Sequence, residues 1–224
     1  MTTLEHKRYF DGIIERVEKA RLRVSDHHIV KIVAASKYVD AEAIKSLYAI
    51  GQRAFGENKI QDLITKSEQL DDLPIEWHFI GTLQKNKINH LLNVRPHLLH
   101  SIDSLELAHA LNDRLERDGT TLRALVQINS AYEASKSGFL PEEISEKYSQ
   151  ILEECPRLHL QGVMSIGAHV DDPTIIRNSF ETTRRIFETL PKATVCSMGM
   201  SSDFELAIEC GSTMIRLGSI LFPK

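Results

Sequence analysis

The feature that most constrains the fold of this chain is a regular alternation of short apolar runs with amphipathic segments. Eight runs read as buried strands, and they cover residues 31–36, 54–58, 77–81, 97–103, 123–129, 160–166, 194–199 and 214–220. The segments between them repeat apolar residues at helical spacing. Parallel strands need crossover connections, so strands that alternate with helices favour a parallel sheet. Eight such units in 224 residues predict an α/β fold, a closed (β/α)8 TIM barrel.

An open doubly wound sheet is the alternative architecture. It normally has fewer strands and a glycine-rich first turn, but no GxGxxG follows the first run and no GxxxxGK[ST] occurs. Residues 3–24 carry Phe10, Ile13, Ile14 and Val17 on one stripe, which predicts an extra N-terminal helix. No linker-like stretch interrupts the chain, so we expect residues 1–224 to form a single domain.

Several helices are predicted to begin at a side chain that accepts bonds from free backbone N–H groups. The predicted N-caps are Asp40, Ser104, Asp171 or Asp172, and Ser202. Ser202 and Glu205 have the spacing of a capping box, in which the two residues cap each other's backbone.

Composition excludes several classes of function. With a net charge of −4 the chain has no excess of basic residues that would favour binding to nucleic acid or to an anionic membrane surface. No apolar run approaches the roughly 20 residues that span a bilayer, and charges interrupt the N-terminus where a signal peptide would be apolar. Cys155, Cys196 and Cys210 form no CxxC pair, which favours a reducing compartment. We expect a cytoplasmic protein, and a closed barrel is compatible with a monomer.

The most informative residue is Lys37, which follows the first apolar run. Functional residues of such barrels lie at the carboxyl ends of the strands. An amine there loses hydration and becomes a better nucleophile toward carbonyls, so it can form a Schiff base. Two structural alternatives are a lysine that extends over the rim and a lysine that pairs with Glu57.

Two turns after the seventh and eighth runs have the character of a phosphate site. SMGMSSDFELAI (197–208) passes from a strand through a glycine- and serine-bearing turn into a helix, and RLGSILF (216–222) places Gly218 and Ser219 after the last strand. Barrel enzymes commonly hold phosphate at these two loops. Arg216 is a charge inside an apolar strand and needs an acceptor, either a ligand or a carboxylate such as Glu57 or Asp103.

The histidines are less informative. His78, His97 and His100 lie on predicted strands, but no HExxH or comparable spacing occurs. The sequence therefore predicts no metal site.

An amine, two turns suited to phosphate and an arginine together suggest a site for pyridoxal 5′-phosphate (PLP). Several sequence motifs support the same interpretation. The chain resembles the pyridoxal phosphate homeostasis proteins, the YggS/PROSC family, over nearly its whole length. The matching stretches are AASK (34–37), FGEN (55–58), WHFIGTLQKNK (77–87), SIDS (101–104), SKSGF (135–139), SMGMSSDFELAI (197–208) and GSTMIRLGSILF (211–222).

The resemblance implies a fold-type III PLP barrel, like the N-terminal domain of alanine racemase. It implies that Lys37 carries PLP as a Schiff base and that Ser201, Gly218 and Ser219 hold the phosphate. Arg216 would face the pyridine nitrogen and Asn58 would line the ring. The remaining pocket-wall candidates are Met164 and His78.

The resemblance also implies a role in PLP (vitamin B6) homeostasis. We expect no catalytic turnover, and we expect PLP-dependent apoenzymes as recipients. Arginine stays protonated and only donates, so the pyridine nitrogen that it faces remains unprotonated and the ring is a weaker electron sink. A racemase also needs a base on each face of the substrate, and we expect no second, all-β domain to supply one. The alternatives are a small PLP-dependent racemase or decarboxylase, and an aldolase in which Lys37 attacks a phosphorylated sugar directly.

Overall fold

The computed structural model describes residues 3–133 and 136–222, so Ser135 of the SKSGF stretch lies outside the described residues. Eight parallel strands form a closed barrel in chain order. The strands are β1 Lys31–Ala35, β2 Ala54–Glu57, β3 Glu76–Phe79, β4 Leu98–Ile102, β5 Leu122–Ile128, β6 Leu158–Ser165, β7 Val195–Ser197 and β8 Met214–Leu217. The helices are α1 Thr3–Leu22, α2 Ala41–Ala49, α3 Ile60–Gln69, α4 Ile88–Val94, α5 Leu105–Asp118, α6 Ile144–Glu154, α7 Pro173–Thr189 and α8 Phe204–Glu209, with a 3₁₀ turn at Lys85–Lys87 before α4.

The pairing of the first strand with the last confirms the barrel and rules out the open sheet. Lys31 to Ala34 of β1 pair in parallel with Met214 to Leu217 of β8. An open sheet has two edge strands with unpaired backbone groups, whereas closure gives every strand a neighbour on both sides.

Neighbouring residues of a strand enter two separate apolar clusters, as the two-residue period of a strand requires. Val33 belongs to a small interior cluster, which we call the barrel plug, whereas Ala34 belongs to the large core between strands and helices. The barrel plug consists of Val33, Ala54, Leu98, Leu125, Met164 and Met214. Strand residues that point inward, like those of the barrel plug, therefore determine which side chains face the two barrel mouths.

Helix α1 lies outside the eight repeats and packs against α8 and α2. Its buried residues Ile13, Val17 and Ala20 join the large core. The helix was predicted over residues 3–24 and ends two residues earlier, at Leu22. Across the described ranges, none of the helices combines the length and the apolar character needed to cross a bilayer.

Three of the predicted N-caps are confirmed. The side chains of Asp40, Ser104 and Asp172 accept bonds from the backbone N–H groups of Ala43, Leu107 and Thr174.

The predicted capping box of Ser202 and Glu205 is wrong. The N-cap of α8 is Asp203, because a tight turn precedes the helix in which Met200 N donates to Asp203 Oδ1 at 2.6 Å. Glu205 instead accepts two bonds from Arg16 of α1, at 3.0 Å and 2.7 Å.

Candidate functional site

Lys37 lies just beyond the end of β1, at the mouth formed by the carboxyl ends of the strands. Backbone pairing with β2 continues through Ser36, whose N–H donates to the Gly56 carbonyl at 3.0 Å, so the backbone is held up to the residue before Lys37. Lys37 is half-buried, and its Nζ lies 5.0 Å from the centroid of the exposed Tyr38 ring. The fold therefore places an amine at the mouth where barrel sites form.

Glu57, the carboxylate considered as a partner for Lys37, already accepts hydrogen bonds from other groups. Glu57 Oε1 accepts bonds from Ser36 Oγ at 2.6 Å and from Lys66 Nζ at 2.7 Å. Lys66 Nζ also donates to the Ser36 carbonyl at 2.8 Å. The alternative pairing of Lys37 with Glu57 is therefore wrong, and within residues 3–133 and 136–222 no carboxylate forms an ion pair with Lys37.

Asn58 follows β2 directly and is half-buried at the same mouth. Its backbone is held against the end of β3, because Ile80 N donates to the Glu57 carbonyl at 2.9 Å. A Cβ on Gly81 would lie 2.1 Å from the Asn58 carbonyl oxygen, so this close passage needs glycine. The FGEN and WHFIG stretches are thus joined by a backbone hydrogen bond and a close backbone approach, which fix the position of Asn58.

The two turns predicted to hold phosphate meet in space. Gly218 N donates to Ser201 Oγ at 3.1 Å, which joins the turn after β7 to the turn after β8. Gly199 has φ of +97°, and a Cβ there would lie 2.6 Å from Ala207 Cβ, so the first turn needs glycine as well. Ser219 is exposed beside Gly218. Ser201, Gly218 and Ser219 together form what we call the paired turn.

Arg216 is buried and bound to neutral acceptors. Its guanidinium donates to the Ser197 carbonyl at 3.0 Å, to Ser197 Oγ at 2.7 Å and to the Ser165 carbonyl at 2.9 Å. The alternative ion pair with Glu57 or Asp103 is wrong, since neither carboxylate contacts it in the part of the chain that the structure describes. Burial lowers the pKa of Arg216 to about 10, and it remains a cation at neutral pH.

His78 and Met164 lie deeper than the mouth. Met164 is part of the barrel plug and 2% exposed. His78 is fully buried, and its Nδ1 lies 2.8 Å from His100 Nε2. His100 Nδ1 lies 3.3 Å from Ser197 Oγ, so a chain of polar side chains links His78 to Arg216 through the barrel interior. Burial lowers the pKa of His78 to about 4 and that of His100 well below its ordinary value.

Reasoning from the sequence missed Lys66. Its position carried a signal, because Lys66 stands on the buried stripe of α3, three residues after Leu63 and four before Leu70. An apolar residue is expected there. A lysine on such a stripe needs a buried acceptor, and Glu57 supplies it.

The donor set of this mouth suits a phosphorylated aldehyde such as PLP. Lys37 offers an amine, the paired turn offers the hydroxyl groups of Ser201 and Ser219, and Arg216 has N–H groups beyond the three that donate to Ser197 and Ser165. A Cβ on Gly218 would lie 3.4 Å from the Ala35 carbonyl oxygen, so the absent side chain leaves room beside the paired turn.

Comparison with known proteins connects this geometry to a family. A family profile described as alanine racemase, N-terminal domain, matches residues 11–223. A pyridoxal phosphate homeostasis protein of Helicobacter pylori is 57% identical over 221 residues, which cover 99% of this chain and 100% of the relative. A protein of the same name from Aquifex aeolicus is 36% identical over 218 residues, 95% of each chain.

Solved structures agree with the fold. PipY of Synechococcus elongatus, solved with PLP bound, superposes with a TM-score of 0.80 at 32% identity and covers 93% of this chain and 98% of its own. An alanine racemase of Clostridium difficile has a TM-score of 0.74 at 16% identity, covering 99% of this chain and 58% of its own. At that identity the racemase likeness concerns the fold alone.

Proposed function

Because this chain belongs to the pyridoxal phosphate homeostasis protein family, we propose that its barrel mouth binds PLP and that the protein serves the intracellular balance of this cofactor. The observation that carries the proposal is the state of Lys37. Lys66 and Ser36 both donate to Oε1 of Glu57, and Lys37 lies at the mouth without an ion-pair partner among the described residues. The relative from Helicobacter pylori and the PLP-bound PipY support the assignment.

We assign Lys37 the covalent attachment of PLP. Ser201, Gly218 and Ser219 of the paired turn bind its phosphate, and Arg216 donates to the pyridine nitrogen. Asn58 lines the ring from the end of β2. Met164 and His78 support the pocket from beneath, Met164 through the barrel plug and His78 through His100 and Ser197.

The proposed function involves no catalytic turnover. PLP, when bound, offers an aldehyde to amines and a ring that withdraws electrons. Arg216 donates and does not protonate the ring nitrogen, which weakens that withdrawal. Among the rim residues, Asn129 is committed to the backbone carbonyl of Glu133 at 2.9 Å, and Ser165 Oγ lies 2.8 Å from Thr183 Oγ1. Neither is a base of suitable strength for proton abstraction.

The same proposal extends to partners and location. We propose that PLP-dependent apoenzymes receive the cofactor from a cytoplasmic monomer. Cys155, Cys196 and Cys210 are free and buried, which suits a reducing compartment.

The attachment at Lys37 is tested by substitution. Lys37→Ala is expected to lose the borohydride-reducible PLP adduct, which mass spectrometry detects on the intact protein and on peptides. Lys87→Ala is the matched control and is expected to keep it, because Lys87 lies in the 3₁₀ turn before α4. An adduct that survives in Lys37→Ala and disappears in Lys87→Ala would move the attachment to Lys87.

Absence of turnover is tested by incubating the PLP-loaded protein with a panel of L-amino acids in deuterated water. We expect spectral evidence of amino-acid binding without accumulating α-deuteration or enantiomer. Multiple turnovers that vanish in Lys37→Ala would establish the racemase alternative and refute the carrier.

A further inference from the structure

Three potential metal ligands converge at the opposite end of the barrel from Lys37. Glu76 is the first residue of β3, His78 is the third, and His97 directly precedes β4. One ligand atom from each of the three lies within 4.8 Å of the others. Glu76 Oε2 lies 4.0 Å from His78 Nε2 and 3.8 Å from His97 Nε2.

The hydrogen bonding of His78 indicates that this cluster is a ligand site. Its Nδ1 is engaged by His100 at 2.8 Å. Its Nε2 is fully buried, and no hydrogen-bond partner for it occurs within the described ranges. A buried polar atom without a partner is costly. An imidazole with one nitrogen held by a hydrogen bond and the other free has the arrangement of a metal-bound histidine.

We propose that Glu76, His78 and His97 bind a divalent transition metal of the zinc type, with water completing the coordination. Two imidazoles and one carboxylate are donors that Zn²⁺ prefers, and Co²⁺ accepts the same set. Tetrahedral bonds of about 2.0–2.1 Å place ligand atoms about 3.3 Å apart. The two separations from Glu76 Oε2, 3.8 Å and 4.0 Å, exceed that value by less than about 1 Å, and all three ligand atoms lie within 4.8 Å of one another.

Lys31 is the competitor for this site. Its ammonium forms an ion pair with Glu76, and its side chain is 38% exposed, so it can withdraw into solvent. Lys31 and Arg123 place positive charge near His97, and this charge weakens binding of a metal cation. A metal must displace the Lys31 ammonium from Glu76, and removal of that ammonium must strengthen the site.

The metal site has a structural link to the opposite mouth. A metal on His78 Nε2 leaves the proton of His78 on Nδ1, where it donates to His100 Nε2. His100 then donates from Nδ1 to Ser197 Oγ, which also receives Arg216. The metal thus sets the direction of the interior hydrogen bonds, although its binding does not depend on PLP.

Titration of the purified full-length chain with Co²⁺ tests the site through the d–d absorption of four-coordinate cobalt, followed by displacement with Zn²⁺. We expect saturable binding in the wild type. His97→Ala and Glu76→Gln are expected to weaken it at least about tenfold, and Lys31→Met is expected to strengthen it about tenfold. All three changes are at partly exposed side chains, and circular dichroism verifies folding.

The matched control is His159→Ala, because His159 is exposed at the start of β6 and belongs to no ligand cluster among the described residues. It is expected to bind Co²⁺ like the wild type. Binding that is equal in all variants would show adventitious surface sites and refute the proposal. Absence of a four-coordinate spectrum in both the wild type and Lys31→Met would refute it as well.

Discussion

At the scale of single residues, two lysines near the same mouth have opposite roles because their acceptors differ. Lys66 is buried and neutralises the carboxylate of Glu57. Lys37 is half-buried and faces the mouth. A buried charge without a partner is costly, so the fold can leave free only the lysine that retains contact with water. Solvent contact at Lys37 thus explains how an amine without an ion-pair partner among the described residues is tolerated there.

The paired turn makes a prediction at the same scale. Ser201→Ala is expected to weaken PLP binding by about 1–3 kcal/mol, the cost of one bond to a charged group, while binding of unphosphorylated pyridoxal changes little. Ser202→Ala is the matched control, since Ser202 is exposed beside Ser201. Fluorescence titration with both vitamers measures the difference. Equal losses for PLP and pyridoxal would show that Ser201 does not bind the phosphate.

At the scale of elements, a buried polar network ties β1 and β2 to α3. Ser36 ends the paired part of β1, Glu57 ends β2, and Lys66 reaches both from the helix. Glu57 is 0% exposed and Lys66 9% exposed, so their charges are shielded from water. The network fixes the strand ends from which Lys37 and Asn58 project.

Loss of one partner in this network is expected to be severe. Lys66→Met should lower the free energy of unfolding by about 3–5 kcal/mol, because Glu57 is left as an uncompensated buried charge. Adding Glu57→Gln to Lys66→Met should recover part of that loss. Lys45→Met is the control, as Lys45 pairs with Glu42 on the exposed face of α2. Urea denaturation measures all four proteins, and a Lys66→Met loss no larger than that of Lys45→Met would contradict the role of the network.

At the scale of the whole molecule, α1 covers the junction where the first and last repeats meet. Arg16 joins it to Glu205 of α8 through side chains that are 47% and 45% exposed. Ile13, by contrast, is 4% exposed within the large core. Exposed ion pairs contribute little to stability, whereas buried aliphatic packing contributes several kcal/mol.

Paired substitutions on α1 test that distinction. Ile13→Ala is expected to cost about 2–5 kcal/mol of unfolding free energy, and Arg16→Ala about 1 kcal/mol or less. Thermal and urea denaturation of the two variants provide the comparison. A larger loss for Arg16→Ala would mean that the ion pair, and not packing, holds α1 to the barrel.

The sequence by itself determined the barrel, because alternation of apolar runs and amphipathic segments is a local property that each stretch carries. It also placed Lys37, Asn58, Ser201, Gly218 and Ser219 at strand ends, where a parallel barrel collects its site. Its error at Ser202 and Glu205 has a local cause as well, since a turn at Met200–Asp203 delays the helix and Arg16 takes the glutamate.

Only the tertiary structure decided which polar residues meet. Glu57 pairs with Lys66 and not with Lys37, and Arg216 donates to carbonyl and hydroxyl oxygens and not to a carboxylate among the described residues. Glu76, His78 and His97 converge although no ligand spacing joins them in the chain. The physical reason is that strand register and barrel closure bring together residues from different repeats, and the energy of a buried charge depends on those neighbours and not on sequence position.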